Sequence, residues 1–214
     1  MLWTNFIDNS LLSSLQSKTA IVSDEGSVTY AELCVNAENL GNFLHSSGIT
    51  EGHVVHAYIG NIPAFVVTQL ATSKAGCTFA PLDIGLTDVE ALSILKLTGS
   101  DLVVCTEATL SRCRQISKNV IVLDVAGKII DKEIFEIGYP TVDTDVACIQ
   151  FSSGSTGNSK GILLSKEAFY YRSFYLLNSL ELNQGDKTLC TLPLSHTHGA
   201  ECLALPTLLA GGTL

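Results

Sequence analysis

Apolar positions along this chain switch repeatedly between strand-like runs and helical spacing. "TAIVS" (19–23) reads as a strand and "EGS" as a turn. "TYAELCVNAENLGNFLHSSG" (29–48) carries apolar residues at helical spacing and ends in a glycine. "HVVHAYI" (53–59) reads as a strand. "PAFVVTQLATSKAG" (63–76) reads as a helix with proline in its first turn and glycine at its end. "CTFAPL" is a strand, "TDVEALSILKLTG" (87–99) a threonine-capped helix, "DLVVCT" a strand, 107–116 a short helix and "NVIVLDV" (119–125) a strand. The stretch 126–144 reads mostly as loop. "DVACIQF" (145–151) and "GILLS" are strands, "KEAFYYRSFYLLNSL" (166–180) a helix, "KTLCTLPL" (187–194) a strand and "AECLALPTLLAGG" a helix. Thr213-Leu214 resembles the start of a further strand, so the chain is expected to be part of something longer.

This alternation predicts an α/β fold of mainly parallel βαβ sheets flanked by helices. Several strands are continuously apolar, as both-face burial requires. The aromatic stripe at 169–175 is expected in the core. His53 and His56 fall on opposite faces of a strand and are expected to be structural.

Composition narrows the function. Hydrophobic residues make up 46% and charged residues 15%, enough for a large core. The net charge is −9 and the 12 Lys and Arg are scattered, which argues against a nucleic-acid partner. Seven cysteines at irregular spacing predict free thiols in a reducing, cytoplasmic setting. No signal-peptide pattern and no apolar run of about 20 residues is present, so no transmembrane segment is expected.

The chemistry concentrates in "FSSGSTGNSKGI" (151–162), directly after a strand. Gly154 and Gly157 leave the backbone uncovered, so successive N–H groups can turn toward one anion. Ser152, Ser153, Ser155 and Thr156 add hydroxyls, and Lys160 adds a mobile positive charge. That inventory suits a di- or triphosphate. A solvated loop has the same composition, so composition does not decide between them. The spacing is neither a Walker A motif nor a dinucleotide Gly-x-Gly-x-x-Gly loop.

"SSGSTGNSKG" resembles the phosphate-loop signature of the adenylate-forming (AMP-dependent synthetase/ligase) enzymes: acyl-CoA synthetases, fatty-acyl-AMP ligases, luciferases and peptide-synthetase adenylation domains. Ser159 stands where that signature has proline. Three further segments follow in the family's order: "VTYAEL" (28–33), "TSKAGCTFAPLD" (72–83) and "PLSHTHGAECLALPTLLAGGTL" (193–214). The first two read as scaffold without chemistry. The resemblance implies that residues 1–214 are the N-terminal portion of a large adenylation domain. It implies activation of a carboxylic acid by Mg-ATP to an acyl-adenylate, then thioester formation with coenzyme A or a carrier-protein phosphopantetheine. Ser152, Ser153, Gly154, Ser155, Thr156, Gly157 and Lys160 would hold the phosphates.

By the same resemblance His196, in "PLSH", would border the reacting carboxylate. The alternative is a histidine packed at a strand end. Ser195 stands where the family often has an aromatic. No aspartate lies beyond Asp186 to hold a substrate ammonium, which points to a fatty or aryl acid rather than an amino acid. The family's later motifs and C-terminal domain are not in this stretch, so the isolated chain is expected to be inactive or nearly so. Two rival readings stand beside it. One is a degenerate, non-catalytic binding module. The other is a metal-dependent hydrolase using His196 and His198 with Glu201 three positions on, although Gly199 interrupts that spacing and no metal site is expected.

Overall fold

The computed structural model describes residues 14–135, 137–153 and 159–214. Strands β1 (Thr19–Ser23) and β2 (Gly26–Thr29) form a two-stranded antiparallel ribbon. β2 occupies part of the expected "EGS" turn; only Val28 of its residues is buried, so its apolar signal is weak. Thr29 then caps α1 (Tyr30–Ser46) in a capping box with Glu32. β3 (Val54–Tyr58), α2 (Pro63–Ala75) and β4 (Thr78–Pro81) follow, with Gly76 closing α2 in a left-handed conformation at φ 77°. Next come α3 (Asp88–Thr98), β5 (Leu102–Thr106), α4 (Glu107–Ile116) and β6 (Asn119–Leu123).

β7 (Ile129–Glu133) lies inside the stretch read as loop. It is an antiparallel edge strand whose Asp131, Lys132 and Glu133 are exposed, and charges of that kind guard an edge while hiding its apolar period. β8 (Val146–Ser153) and β9 (Ser159–Ser165) pair antiparallel, and α5 (Lys166–Ser179) begins where β9 ends.

The main sheet runs β7-β6-β5-β3-β4-β8-β9, parallel from β6 through β8 with one antiparallel strand at each edge. The expected mainly parallel architecture is therefore present. α1 and α2 cover one face: Leu33, Leu40, Phe65 and Leu70 pack with Val55, Ala57, Val104 and Ile121. α3 and α4 cover the other: Ile94, Leu95 and Cys113 pack with Tyr58, Val103 and Val122. Alternate residues of each central strand thus feed opposite cores. α2 lies beneath α1, and Pro63 to Thr72 are all buried. His56 sits fully inside β3, bonded to Leu102 and Thr98, in the structural role expected; His53 precedes the strand.

Three expectations fail. Residues 187–194 form no strand. Lys187 makes one parallel bridge to Thr213, and the carbonyl of Leu192 and the N–H of Leu194 go to the Asn61 side chain. The helix expected from Ala200 is split into a π-helix (His198–Ala204) and α6 (Leu205–Leu209). Pro206, lacking an N–H, falls in the first turn of α6, where that loss does least harm. Of the aromatic stripe only Phe169 is buried, while Tyr171 and Tyr175 are exposed. In the described residues no helix is long and apolar enough to cross a membrane.

Candidate nucleotide site

The parallel strands β3, β4 and β8 all end at the same edge of the sheet. β3 leads through Gly60 to Asn61, β4 leads to Asp83, and β8 leads into residues 154–158. α2 leaves β3 toward one face and α3 leaves β4 toward the other, so the two connections part above the sheet. A crevice of this kind, outside the carboxyl ends of neighbouring strands, is the usual ligand position in an open α/β sheet.

The segment 192–196 is pinned across that crevice. Asn61 Nδ2 donates to the Leu192 carbonyl at 2.8 Å, and the Leu194 N–H donates to Asn61 Oδ1 at 2.8 Å. The His196 N–H closes the turn onto the Pro193 carbonyl at 3.1 Å. The Ser195 hydroxyl donates to Asp83 Oδ2 at 2.9 Å. His196 Nε2 stands 3.6 Å from that same oxygen, with its imidazole largely exposed toward solvent. The other oxygen of Asp83 accepts the Gly85 N–H at 2.7 Å. Asp83 therefore orients both Ser195 and His196. Sequence reasoning reads "PLD" as scaffold and gives Asp83 and Asn61 no role; the available signal is a carboxylate and an amide just past two strand ends. Ser195, which departs from the family's frequent aromatic, supplies the hydroxyl that Asp83 accepts.

On the other side of the crevice, β8 and β9 run two residues further into the serine-glycine segment than the sequence suggests. Ser152 pairs with Lys160 and Ser153 with Ser159. Directly opposed residues of an antiparallel pair share a face, so the exposed Ser152 and Lys160 are neighbours. Gly154, Ser155, Thr156 and Gly157 lie outside the described residues. The structure thus brings Ser152 and Lys160 together at the base of the segment and sets His196 on a separate turn held by Asp83.

Beneath these elements Glu201 of the π-helix is fully buried. Arg172 Nη1 of α5 donates to its Oε2 at 2.5 Å, and Gln150 Nε2 of β8 donates to its Oε1 at 3.4 Å. Burial pushes the Glu201 carboxyl up from its ordinary value, against the opposing pull of Arg172. Gln150 also reaches the Cys148 sulfur at 3.6 Å, a buried thiol that burial pushes well up. Glu201 is thereby committed to an ion pair. Among the described residues no group of three or more His, Cys, Asp or Glu side chains is placed to hold a metal ion, so His196 and His198 have no further ligands there.

Comparison with known proteins agrees with this geometry. The family described as AMP-binding enzyme matches residues 13–214. Feruloyl-CoA synthase of an Amycolatopsis species is 29% identical over 197 residues, which cover 92% of this chain and 40% of that protein. A linear gramicidin synthase of Brevibacillus parabrevis is 28% identical over 178 residues, 83% of this chain and 2% of that one. Among solved structures, ATP-bound MatB from Rhodopseudomonas palustris superposes with a TM-score of 0.76 at 28% identity, over 100% of this chain and 44% of MatB. The chain therefore spans about two-fifths of the length of the feruloyl-CoA synthase it matches. With a family match over nearly its whole length and the expected mainly parallel sheet, the chain belongs to the AMP-binding, adenylate-forming enzymes.

Proposed function

We propose that these residues are the N-terminal part of an enzyme that activates a carboxylic acid with ATP and passes the acyl group to a thiol. The observation that carries this reading is the pairing of Ser152 with Lys160 at the carboxyl edge of the sheet, flanking a segment of glycines and hydroxyls. In the reaction a carboxylate oxygen attacks the α-phosphorus, the bond from that phosphorus to the bridging oxygen breaks, and pyrophosphate leaves. An acyl-adenylate remains. A thiolate then attacks the acyl carbon and AMP departs.

The chain's own part is electrostatic. Lys160, the hydroxyls of Ser152, Ser153, Ser155 and Thr156, and the backbone at Gly154 and Gly157 would hold the β- and γ-phosphates and meet the charge growing on pyrophosphate. His196, steadied by Asp83, would border the reacting carboxylate. Magnesium fits as a companion of the phosphates rather than as a caged ion. It keeps several waters and needs only one or two protein carboxylates, and no larger cluster stands among the described residues.

A fatty or aryl acid is the expected substrate. The aryl option draws support from feruloyl-CoA synthase and from the indoleacetate–CoA ligase of Aromatoleum aromaticum, 29% identical over 212 residues. Coenzyme A and carrier-bound phosphopantetheine are both consistent acceptors, the second because of the gramicidin synthase relative. Seven free thiols suit the cytoplasm.

The test is carboxylate-dependent ATP–pyrophosphate exchange by the complete reading frame that carries these residues, given fatty, aryl and amino acids. Exchange with a fatty or aryl acid is expected. Lys160→Ala is expected to lower kcat/KM about a hundredfold while leaving the fold intact, because Lys160 is exposed. The 214-residue chain alone is expected to show no turnover. A folded full-length protein that exchanges with no acid overturns the reading.

A further inference from the structure

We propose that Glu201 is a positioning residue for this site, its buried carboxylate fixing the His196 turn against the β8–β9 pair that carries Ser152 and Lys160. The proposal rests on the adenylation reading above and adds a residue to which that reading gives no role.

One carboxylate ties three elements that each lead directly to the site. Gln150 lies in β8 three positions before Ser153, so its bond to Glu201 holds the strand entering the phosphate segment. Arg172 lies in α5, which starts with no intervening loop after β9; Ser165 ends that strand and caps the helix by accepting the Ala168 N–H at 3.1 Å. Arg172 is therefore coupled to the strand bearing Lys160. Glu201 itself follows Ala200, whose N–H bonds the His196 carbonyl at 3.1 Å. Moving the carboxylate moves the histidine turn.

The chemistry of the tie argues for orientation over adhesion. Its surroundings in the π-helix and α6 are apolar: Ala200, Ala204, Leu205 and Leu208 are all buried. The carboxylate is fully buried and the Arg172 side chain 36% exposed, and such a pair rarely outperforms apolar side chains of similar shape as a source of stability. What a guanidinium–carboxylate contact adds is a fixed direction. The π-helix supports the same view, because such turns are rare and occur frequently at functional sites. A phosphate loop and a group beside the attacking carboxylate must keep their spacing, and a displacement of about 1 Å is enough to cost about a hundredfold in rate.

The experiment removes both ends of the tie at once, with Glu201→Met combined with Arg172→Met, and compares the single Glu201→Gln variant. Amide hydrogen exchange is followed by peptide in the 214-residue chain. In the double variant, exchange is expected to quicken together in β8–β9 and in residues 193–200, while β5 and β6 and the urea midpoint stay as in the unaltered chain. In the complete reading frame kcat for pyrophosphate exchange is expected to fall about a hundredfold with KM for ATP within about threefold. Glu201→Gln, which keeps the shape and an acceptor for Arg172, should restore part of that loss and exchange more slowly at both sites. Quickening confined to the π-helix, a uniform rise across the sheet, or an unchanged kcat in a folded variant overturns the proposal. Should the double variant fail to fold, Glu201→Gln decides, since an unchanged kcat and unchanged exchange in it overturn the proposal equally. Absence of exchange activity in the unaltered protein removes the adenylation reading instead, and the hydrogen-exchange pattern still decides the tie.

Discussion

Alanine at position 199 is expected to destabilise the chain by about 3 kcal/mol and to abolish pyrophosphate exchange in the full-length protein. A Cβ at Gly199 would stand 2.3 Å from the Pro193 carbonyl oxygen, 2.8 Å from its carbon and 3.1 Å from the Leu192 oxygen. All three are backbone atoms, so no side chain can swing aside. The 192–194 backbone is held to Asn61 at both ends, and Ser195 is held to Asp83. Relief can come only by breaking one of those bonds, and either break moves His196. Gly48→Ala is the matching control. Gly48 has φ 80° with nothing within 4 Å of its would-be Cβ, so it tests backbone strain alone, at about 1 kcal/mol. Urea titration of both variants separates the two effects. A Gly199→Ala chain as stable as the Gly48→Ala chain would show that the turn yields freely.

The second large effect concerns His56 and acid. A carbonyl can only accept, so the Leu102 oxygen 3.2 Å from Nδ1 fixes the hydrogen there and leaves Nε2 to accept from the Thr98 hydroxyl at 3.0 Å. Both ring nitrogens are satisfied in the neutral form. Burial lowers the His56 pKa from 6.5 to about 4, outweighing the Leu102 bond and the Asp101 charge, which raise it. The unfolded chain then takes up a proton below about pH 6.5 that the folded chain refuses until about pH 4. Stability from this residue is therefore complete above pH 6.5 and lost as the pH falls toward 4, by about 3 kcal/mol in all.

Other groups act in different windows or with opposite sign. Glu32 and Glu90, lowered by their bonds to Thr29 and Thr87, lose their contribution only below the ordinary carboxylate value. Glu201, raised by burial, gives a slope of the opposite sign, since its proton is held more tightly in the folded state. The measurement is accordingly a difference: urea midpoints of the unaltered chain and of His56→Asn between about pH 7 and about pH 4.5. The unaltered chain should lose stability faster across that range. Parallel curves would sink the argument.

Much of this architecture is legible because its elements announce themselves chemically. Thr29, Pro63, Gly76, Thr87 and Gly99 mark helix ends by means that need no tertiary context, and each marks an observed end. The central strands are equally legible because burial on both faces demands continuous apolar runs. What stays concealed is decided by distant partners. "KTLCTLPL" has strand composition, yet its backbone groups are claimed by the Asn61 side chain and a lone bridge to Thr213. β7 has loop composition, and only the edge of β6 makes it a strand. At the site, the motif itself names Ser152, Lys160 and His196. Asp83 and Glu201 cannot be ranked from sequence, because their importance lies in what folds onto them.

The seam between β4 and β8 carries a consequence for the order of assembly. The two strands share the single registered pair Phe79–Cys148, joined by the Thr78 hydroxyl donating to the Val146 carbonyl at 2.8 Å. Strands β3 to β6 close through short crossovers, whereas this seam closes a long excursion of chain and must meet that loop entropy before its single registered pair and the packing of Ala80 on Val146 and Ile149 count. The half of the sheet without the hairpin can form first, and the half bearing Ser152 and Lys160 docks onto it last. By the same reasoning the seam opens first, and β8 amides should exchange ahead of those in β5 under native conditions. Among the described residues, the sheet thus keeps its shortest registered ladder next to the strand that leads to the place where phosphates would be held.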